Sequence, residues 1–110
     1  MRAAALAVSN PDENMWAWGM TVNRSGDGNS LVQNVIFRFG GHVQDETGEI
    51  VTFNSPETVV ALEWIRDTYT APEYADMLPP GILSWTDPSN NEAFLASQTA
   101  VTDNAGTVYA

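Results

Sequence analysis

The stretch from Leu83 to Asn104 constrains the fold of this chain more than any other segment. It joins an aromatic loop to a helix that starts at Asp87-Pro88 or at Asn90, and then to a short apolar strand over residues 99–102. A helix that leads directly into a strand is typical of proteins in which helices pack against a sheet. We therefore expect an α/β fold.

The rest of the chain continues this alternation of helices and strands. The sequence predicts a helix over residues 1–9, a strand over 16–22, a helix from Asn29 or Ser30 to Phe39, a hairpin over 42–52, and a helix from a Ser55 cap to about Thr70. We expect a short mixed sheet with a β-hairpin and about three or four packed helices. These elements form a single domain over residues 1–110.

The charge of the chain excludes two classes of partner. It carries 14 acidic residues against four arginines, and its net charge is −10. Binding to nucleic acid or to anionic lipid requires clustered cations, so neither is expected. No apolar run approaches the length of a membrane span, so no membrane insertion is expected. The absence of cysteine excludes disulfides and thiolate chemistry.

Nothing in the sequence selects a catalytic or metal site. His42 is the only imidazole, which excludes a histidine-rich metal site. Residues 23–28 resemble part of a calcium loop, but Asn34 occupies the position of its closing carboxylate. No pair of carboxylates has a spacing that indicates glycoside hydrolysis. We expect a non-catalytic protein with no metal and no cofactor.

The loop Trp85-Thr86-Asp87 is the leading candidate for a ligand site. An indole face covers the apolar C–H face of a sugar ring, while short polar side chains bond its hydroxyl groups. Packing of Trp85 on the neighbouring helix is the alternative interpretation. We expect Trp85 to stack and Asp87 to accept hydroxyl protons.

Four blocks of this sequence resemble the extracellular solute-binding proteins of ABC transporters, in the branch that binds sugars. The family pattern W-[ST]-D followed by A-F-x-x-G-x-x-A-M-x-x-N-G is matched by Trp85, Thr86, Asp87, Ala93, Phe94, Ala100, Val101 and Asn104. The departures are Ser97 or Gln98 for the first Gly, Val101 for Met, and Ala105 for the second Gly. Upstream, the matching segments are Trp18 to Val22 with Asp27 to Asn29, then Phe39 to Gly41, Asp45 to Thr52, and Asn54 to Thr58.

The resemblance extends from about Trp16 to Ala110 and implies part of the second lobe of a two-lobed receptor. A periplasmic-binding-protein-like lobe of this kind captures a sugar without chemistry, and the closed receptor presents itself to an ABC permease. The resemblance implies a periplasmic or extracellular location. The segment Met1 to Val8 is too short for a signal peptide, so a cytoplasmic location stays open.

The resemblance also implies further ligand residues. Asp103 and Asn104 follow a strand, where the family places ligand contacts, although an Asp-Asn pair also forms turns. Asp27 lies in the loop that faces the ligand in the family. Tyr109 corresponds to an aromatic residue that stacks on the sugar.

A free-standing interaction protein is the alternative function. A lobe separated from its partner exposes apolar faces and strand edges. Such a chain is expected to be a homo-oligomer, with no transport role.

Overall fold

Four α-helices surround a sheet of two short strands in the described part of the chain. The computed structural model describes residues 1–104 and 106–109, with the backbone alone described for Thr107 and Tyr109. The helices are α1 (Arg2–Val8), α2 (Gly26–Arg38), α3 (Pro56–Thr70) and α4 (Asp87–Leu95), and the strands are β1 (Trp16–Trp18) and β2 (Thr99–Val101). Short 3₁₀ turns cover Pro11–Glu13, Pro72–Met77, Ile82–Ser84 and Gly106–Tyr109. The expected α/β class is confirmed.

The two strands are parallel, and the expectation of a mixed sheet is wrong. Trp16 pairs with Thr99 and Trp18 pairs with Val101. The predicted hairpin is reduced to one antiparallel bridge between Gln44 and Val51, flanked by a few backbone bonds. Its ladder stays short because the side chains around the bridge, including that of Val51, face solvent and pack on no second layer.

Strand β1 ends at Trp18 rather than at Val22 as predicted, because its partner strand ends first. The last bond of the pairing runs from the Gly19 amide to the Val101 carbonyl at 2.7 Å. A Cβ atom on Gly19 would lie 2.6 Å from Thr99 Oγ1, so the close approach of the two strands requires glycine at this position.

Trp18 lies at the centre of the apolar core, with 1% of its surface exposed. Its indole Nε1 donates to the hydroxyl of Tyr69 at 3.0 Å, and that hydroxyl donates to the Met20 carbonyl at 2.6 Å. Burial raises the pKa of Tyr69 far above its usual value, so the hydroxyl stays protonated and keeps donating. These two bonds join α3 to β1 and to the segment that follows it.

Helix α2 begins at Gly26, earlier than the predicted start at Asn29 or Ser30. Its first amide groups find acceptors outside the helix: Gly26 N and Asp27 N donate to the carboxylate of Asp87, at 3.1 and 3.4 Å. Asn23 Oδ1 accepts from Gly28 N at 3.2 Å. Because the Asp87 carboxylate belongs to α4, the residues next to Gly26 carry no sequence signal for the two bonds that it accepts.

Helix α3 begins where the sequence predicts, and α4 begins at the first of the two starts that the sequence left open. The Ser55 hydroxyl accepts from Thr58 N at 3.2 Å and caps α3, which ends two residues before Pro72. Helix α4 begins at Asp87, and Thr86 and Ser89 form its capping box. In the described part of the chain, no helix has the length and apolar character needed to cross a membrane.

Replacing Tyr69 with phenylalanine should destabilise the fold. The Y69F change leaves the buried Trp18 Nε1 and the Met20 carbonyl without their shared partner, at a cost of about 1–3 kcal/mol. For a domain of this size we expect the melting temperature to fall by roughly 4–8 °C for each kcal/mol of stability lost. Y74F is the matched control, since it keeps the ring that stacks on Arg2. Equal melting temperatures for Y69F and Y74F would contradict this account.

Candidate functional site

The carboxyl ends of β1 and β2 lie at the same edge of the sheet, because the strands are parallel. The segment that begins at Gly19 leaves β1 there, and the segment that begins at Thr102 leaves β2 beside it. Thr102 Oγ1 donates to the Gly19 carbonyl at 3.0 Å and holds the two segments together. Crevices at the carboxyl ends of strands are common ligand sites in open α/β sheets.

A cavity of about 400 Å³ opens at this edge. Its apolar wall comes from β1 and the segment after it, from α2 and from α3. The residues of that wall include Trp18, Met20, Leu31, Val35, Phe39 and Trp64. Met1 and Val101 add to the apolar lining, and four polar residues complete it: Asn34, Arg38, Thr102 and Asp103. The lining therefore combines aromatic surface with hydrogen-bond donors and acceptors.

Three aromatic rings meet in the cavity wall. The Trp64 ring lies 6.1 Å from that of Trp18 and 6.0 Å from that of Phe39, with both pairs tilted by more than 50°. The guanidinium of Arg2 lies 4.8 Å from the Trp64 ring centre and 4.5 Å from that of Tyr74. One face of Trp64 is thus held by a cation, which fixes the ring without filling the cavity.

Besides the cavity, a polar cluster lies where α4 begins, around the carboxylate of Asp87. Asn23 Nδ2 donates to Asp87 Oδ1 at 2.7 Å, and Ser25 Oγ donates to the same oxygen. With the amides of Gly26 and Asp27, four donors converge on this one side chain. The bonds from Ser25 and Asn23 lower the pKa of Asp87 below its usual value. Asp87 therefore fixes the loop before α2 instead of presenting free lone pairs to a solute.

The fully buried carboxamide of Asn90 connects this loop to the end of β2. Its Nδ2 donates to Asp27 Oδ2 at 2.9 Å and to the Asp103 carbonyl at 3.4 Å. Its Oδ1 accepts from Asn91 N at 2.8 Å and from Asn104 Nδ2 at 3.1 Å. Asn104 Nδ2 also donates to Asn91 Oδ1. The sequence predicted Asn90 only as a possible helix start. Its position three residues before Ala93 places both residues on the same face of α4, and that face is buried. This spacing was the signal that the Asn90 carboxamide points inward.

The structure brings four of the six predicted ligand residues into two adjoining clusters. Asp27, Asp103 and Asn104 meet at Asn90, and Asp87 accepts a hydrogen bond from the Asp27 amide in the first turn of α2. Asp103 is the one predicted residue that also lines the cavity.

Trp85 stands apart from these clusters. Trp85 is half-buried and packs against the apolar core, while its carbonyl accepts from Thr21 Oγ1 at 3.5 Å. The side chain of Tyr109 lies outside the described residues. Trp18 and Trp64 belong to the core or pack against it, and both also form part of the cavity wall.

No group of three or more His, Asp and Glu side chains is arranged to hold a metal ion in the ranges 1–104 and 106–109. The polar groups of both clusters are carboxylates, carboxamides and hydroxyls that bond to one another or to backbone amides. Such groups can hold neighbouring segments in position and can bind solutes that carry hydroxyl groups.

Replacing Asp87 with asparagine should destabilise the fold in a pH-dependent way. The folded-state pKa of Asp87 lies below the unfolded value of about 3.9, so its contribution is complete at neutral pH and is lost as the pH falls through the folded-state pKa. We expect D87N to unfold at a lower temperature than the parent at pH 7, and the difference to shrink below about pH 4.

Thermal unfolding followed by circular dichroism across this pH range measures the difference. The exposed Asp76 offers a matched control, D76N. A D87N difference that stays constant with pH would show that the carboxylate charge contributes nothing.

Comparisons with known proteins returned no match: no family model, no curated protein and no solved structure corresponds to this chain.

Proposed function

We propose that this chain is a non-catalytic solute-binding lobe and that its solute is a carbohydrate. The observation that supports the proposal is the cavity at the carboxyl ends of β1 and β2. Its volume of about 400 Å³ lies within the range of small-molecule sites, which is roughly 300–1,000 Å³. The solute-binding proteins of ABC transporters, which the sequence resembles, work by such capture.

The lining of the cavity matches the two kinds of surface that a sugar offers. Trp64 and Phe39 supply apolar ring surface for the C–H groups of a pyranose, and both rings are partly open to solvent. The buried indole of Trp18 forms the floor. An apolar platform of this kind favours carbohydrates over small ions.

The polar side chains of the lining complement hydroxyl groups. Arg38 supplies donors, Asp103 supplies acceptors, and Asn34 supplies both. A hydroxyl group donates one hydrogen bond and accepts others, so neighbouring donors and acceptors bond it better than either alone. Asn34, Arg38 and Asp103 are exposed, which leaves them accessible to a solute.

The network around Asn90 has a supporting role in this proposal. Asn90 holds the Asp103 backbone through its carbonyl, so the carboxylate of Asp103 extends from a fixed position. The network also ties Asp27, at the start of α2, to the segment that carries Asp103. Of the predicted ligand residues, we therefore assign direct contact to Asp103 and positioning to Asp27, Asp87 and Asn104.

Under the same proposal, an ABC permease receives the solute, and the protein acts in the periplasm or outside the cell. A free-standing interaction protein is the second candidate function. It is favoured by the large apolar side chains that face solvent between residues 37 and 62.

Titration calorimetry against a panel of monosaccharides and disaccharides tests the proposal. We expect heat of binding from at least one sugar, together with a change in tryptophan fluorescence as Trp64 is covered. Binding should be weak, because the cavity is open on one side and encloses little of the solute. Flat traces for the whole panel would contradict a carbohydrate function.

Paired variants locate the site once a sugar binds. D103S and N34S each remove one hydrogen-bonding group from the cavity and should weaken binding about fivefold. D76S removes a carboxylate that lies outside the lining and should leave affinity unchanged. If W85F weakens binding while D103S does not, the sugar lies at the Trp85 loop and not in the cavity.

A further inference from the structure

The segment from Phe37 to Leu62 carries an unusual concentration of exposed apolar side chains. Among the described residues, fourteen large apolar side chains are exposed, and nine of them lie in this range. The nine are Phe37, Phe39, Val43, Ile50, Val51, Phe53, Val59, Val60 and Leu62. Val51 is 79% exposed and Ile50 is 62% exposed. Concentrated apolar exposure marks interaction surfaces in soluble proteins.

The two helix ends that bound the hairpin lie close together. The end of α2 is close to the start of α3: a Cβ atom on Gly41 would lie 2.7 Å from Thr58 Oγ1, and one on Gly40 would lie 3.8 Å from Glu57 Cγ. The hairpin joins these two helix ends. No side chain between residues 42 and 57 is buried. We call residues 37–62 the hairpin surface.

The chain is less compact than a typical domain of its length. The radius of gyration is 15.1 Å, against about 13 Å for a compact domain of this length. The accessible surface is 6848 Å², against roughly 6,000 Å² for a compact monomer of this mass.

Charge determines what kind of partner suits the hairpin surface. It carries four carboxylates, those of Asp45, Glu46, Glu49 and Glu57, against the single guanidinium of Arg38. A two-fold dimer would place this surface against itself and bring like charges together, between two chains that each carry −10. A partner with cations around an apolar centre would match both features.

We propose that the hairpin surface docks a partner protein whose contacting face is apolar with a rim of lysine or arginine. The apolar side chains of the hairpin and of the first turns of α3 form the buried centre of the interface. Glu46 and Glu49, which are exposed at the hairpin tip, pair with the cationic rim. This interface adjoins the cavity that the proposed carbohydrate function uses, because Arg38 and Phe39 belong to both, but Glu46, Glu49, Val51 and Val60 do not line the cavity.

A synthetic helical peptide of about 14 residues, with leucine on one face and lysine on the other, serves as the probe. Binding is followed by fluorescence anisotropy of the labelled peptide. We expect binding that weakens as salt is added, since the rim contacts are electrostatic. The same peptide with glutamate in place of lysine should not bind. If the lysine peptide does not bind, the proposal is overturned.

Matched variants separate the hairpin surface from the general acidity of the chain. E46Q with E49Q should weaken the lysine peptide about fivefold, whereas D12N with E13Q, which removes the same charge from another exposed turn, should not. V51S with V60S should weaken it at least tenfold, whereas L83S with L95S should not. Equal effects of the paired variants would overturn the proposal. So would a concentration-dependent dimer that V51S with V60S dissociates, because a second copy would then cover the surface.

Discussion

The carboxylate of Asp87 is the contact on which the arrangement around the site depends. A sheet of two three-residue strands is too small to hold its surroundings in place, so other contacts must do so. Asp87 accepts hydrogen bonds from the loop before α2 and from the first amides of that helix. One residue of α4 thereby fixes the start of α2, and three residues further on Asn90 fixes the end of β2. The amino-terminal turn of α4 therefore links the start of α2 to the end of β2.

Elements whose boundaries are set by neighbours in the chain were predictable from the sequence. The start of α3 at Pro56 was predictable because its Ser55 cap, its first-turn proline and its apolar spacing all lie within the segment. The start of α2 was not predictable, because its acceptor comes from Asp87, about sixty residues away. The length of β1 was missed for the same kind of reason, since the end of β2 sets it.

The candidate site was also predictable only in part. Asp27, Asp103 and Asn104 were predicted as ligand residues, and the structure brings them together at Asn90. The indole predicted to stack was that of Trp85, which packs on the core, whereas the cavity is lined by Trp64. Helical spacing indicates that Trp64 faces inward, but it cannot distinguish a ring enclosed by packing from one that borders an open space. That difference depends on how α2 and α3 are placed against β1.

The hairpin between α2 and α3 has a consequence for how this protein changes over evolutionary time. None of its side chains between residues 42 and 54 is buried, so few of them are constrained by packing. Substitutions at exposed positions such as Ile50 and Val51 change the surface offered to a partner and leave the interior untouched, whereas Ser55, which caps α3, remains constrained. Selection can therefore adjust, exchange or abolish an association at the hairpin without lowering the fraction of folded molecules in the cell.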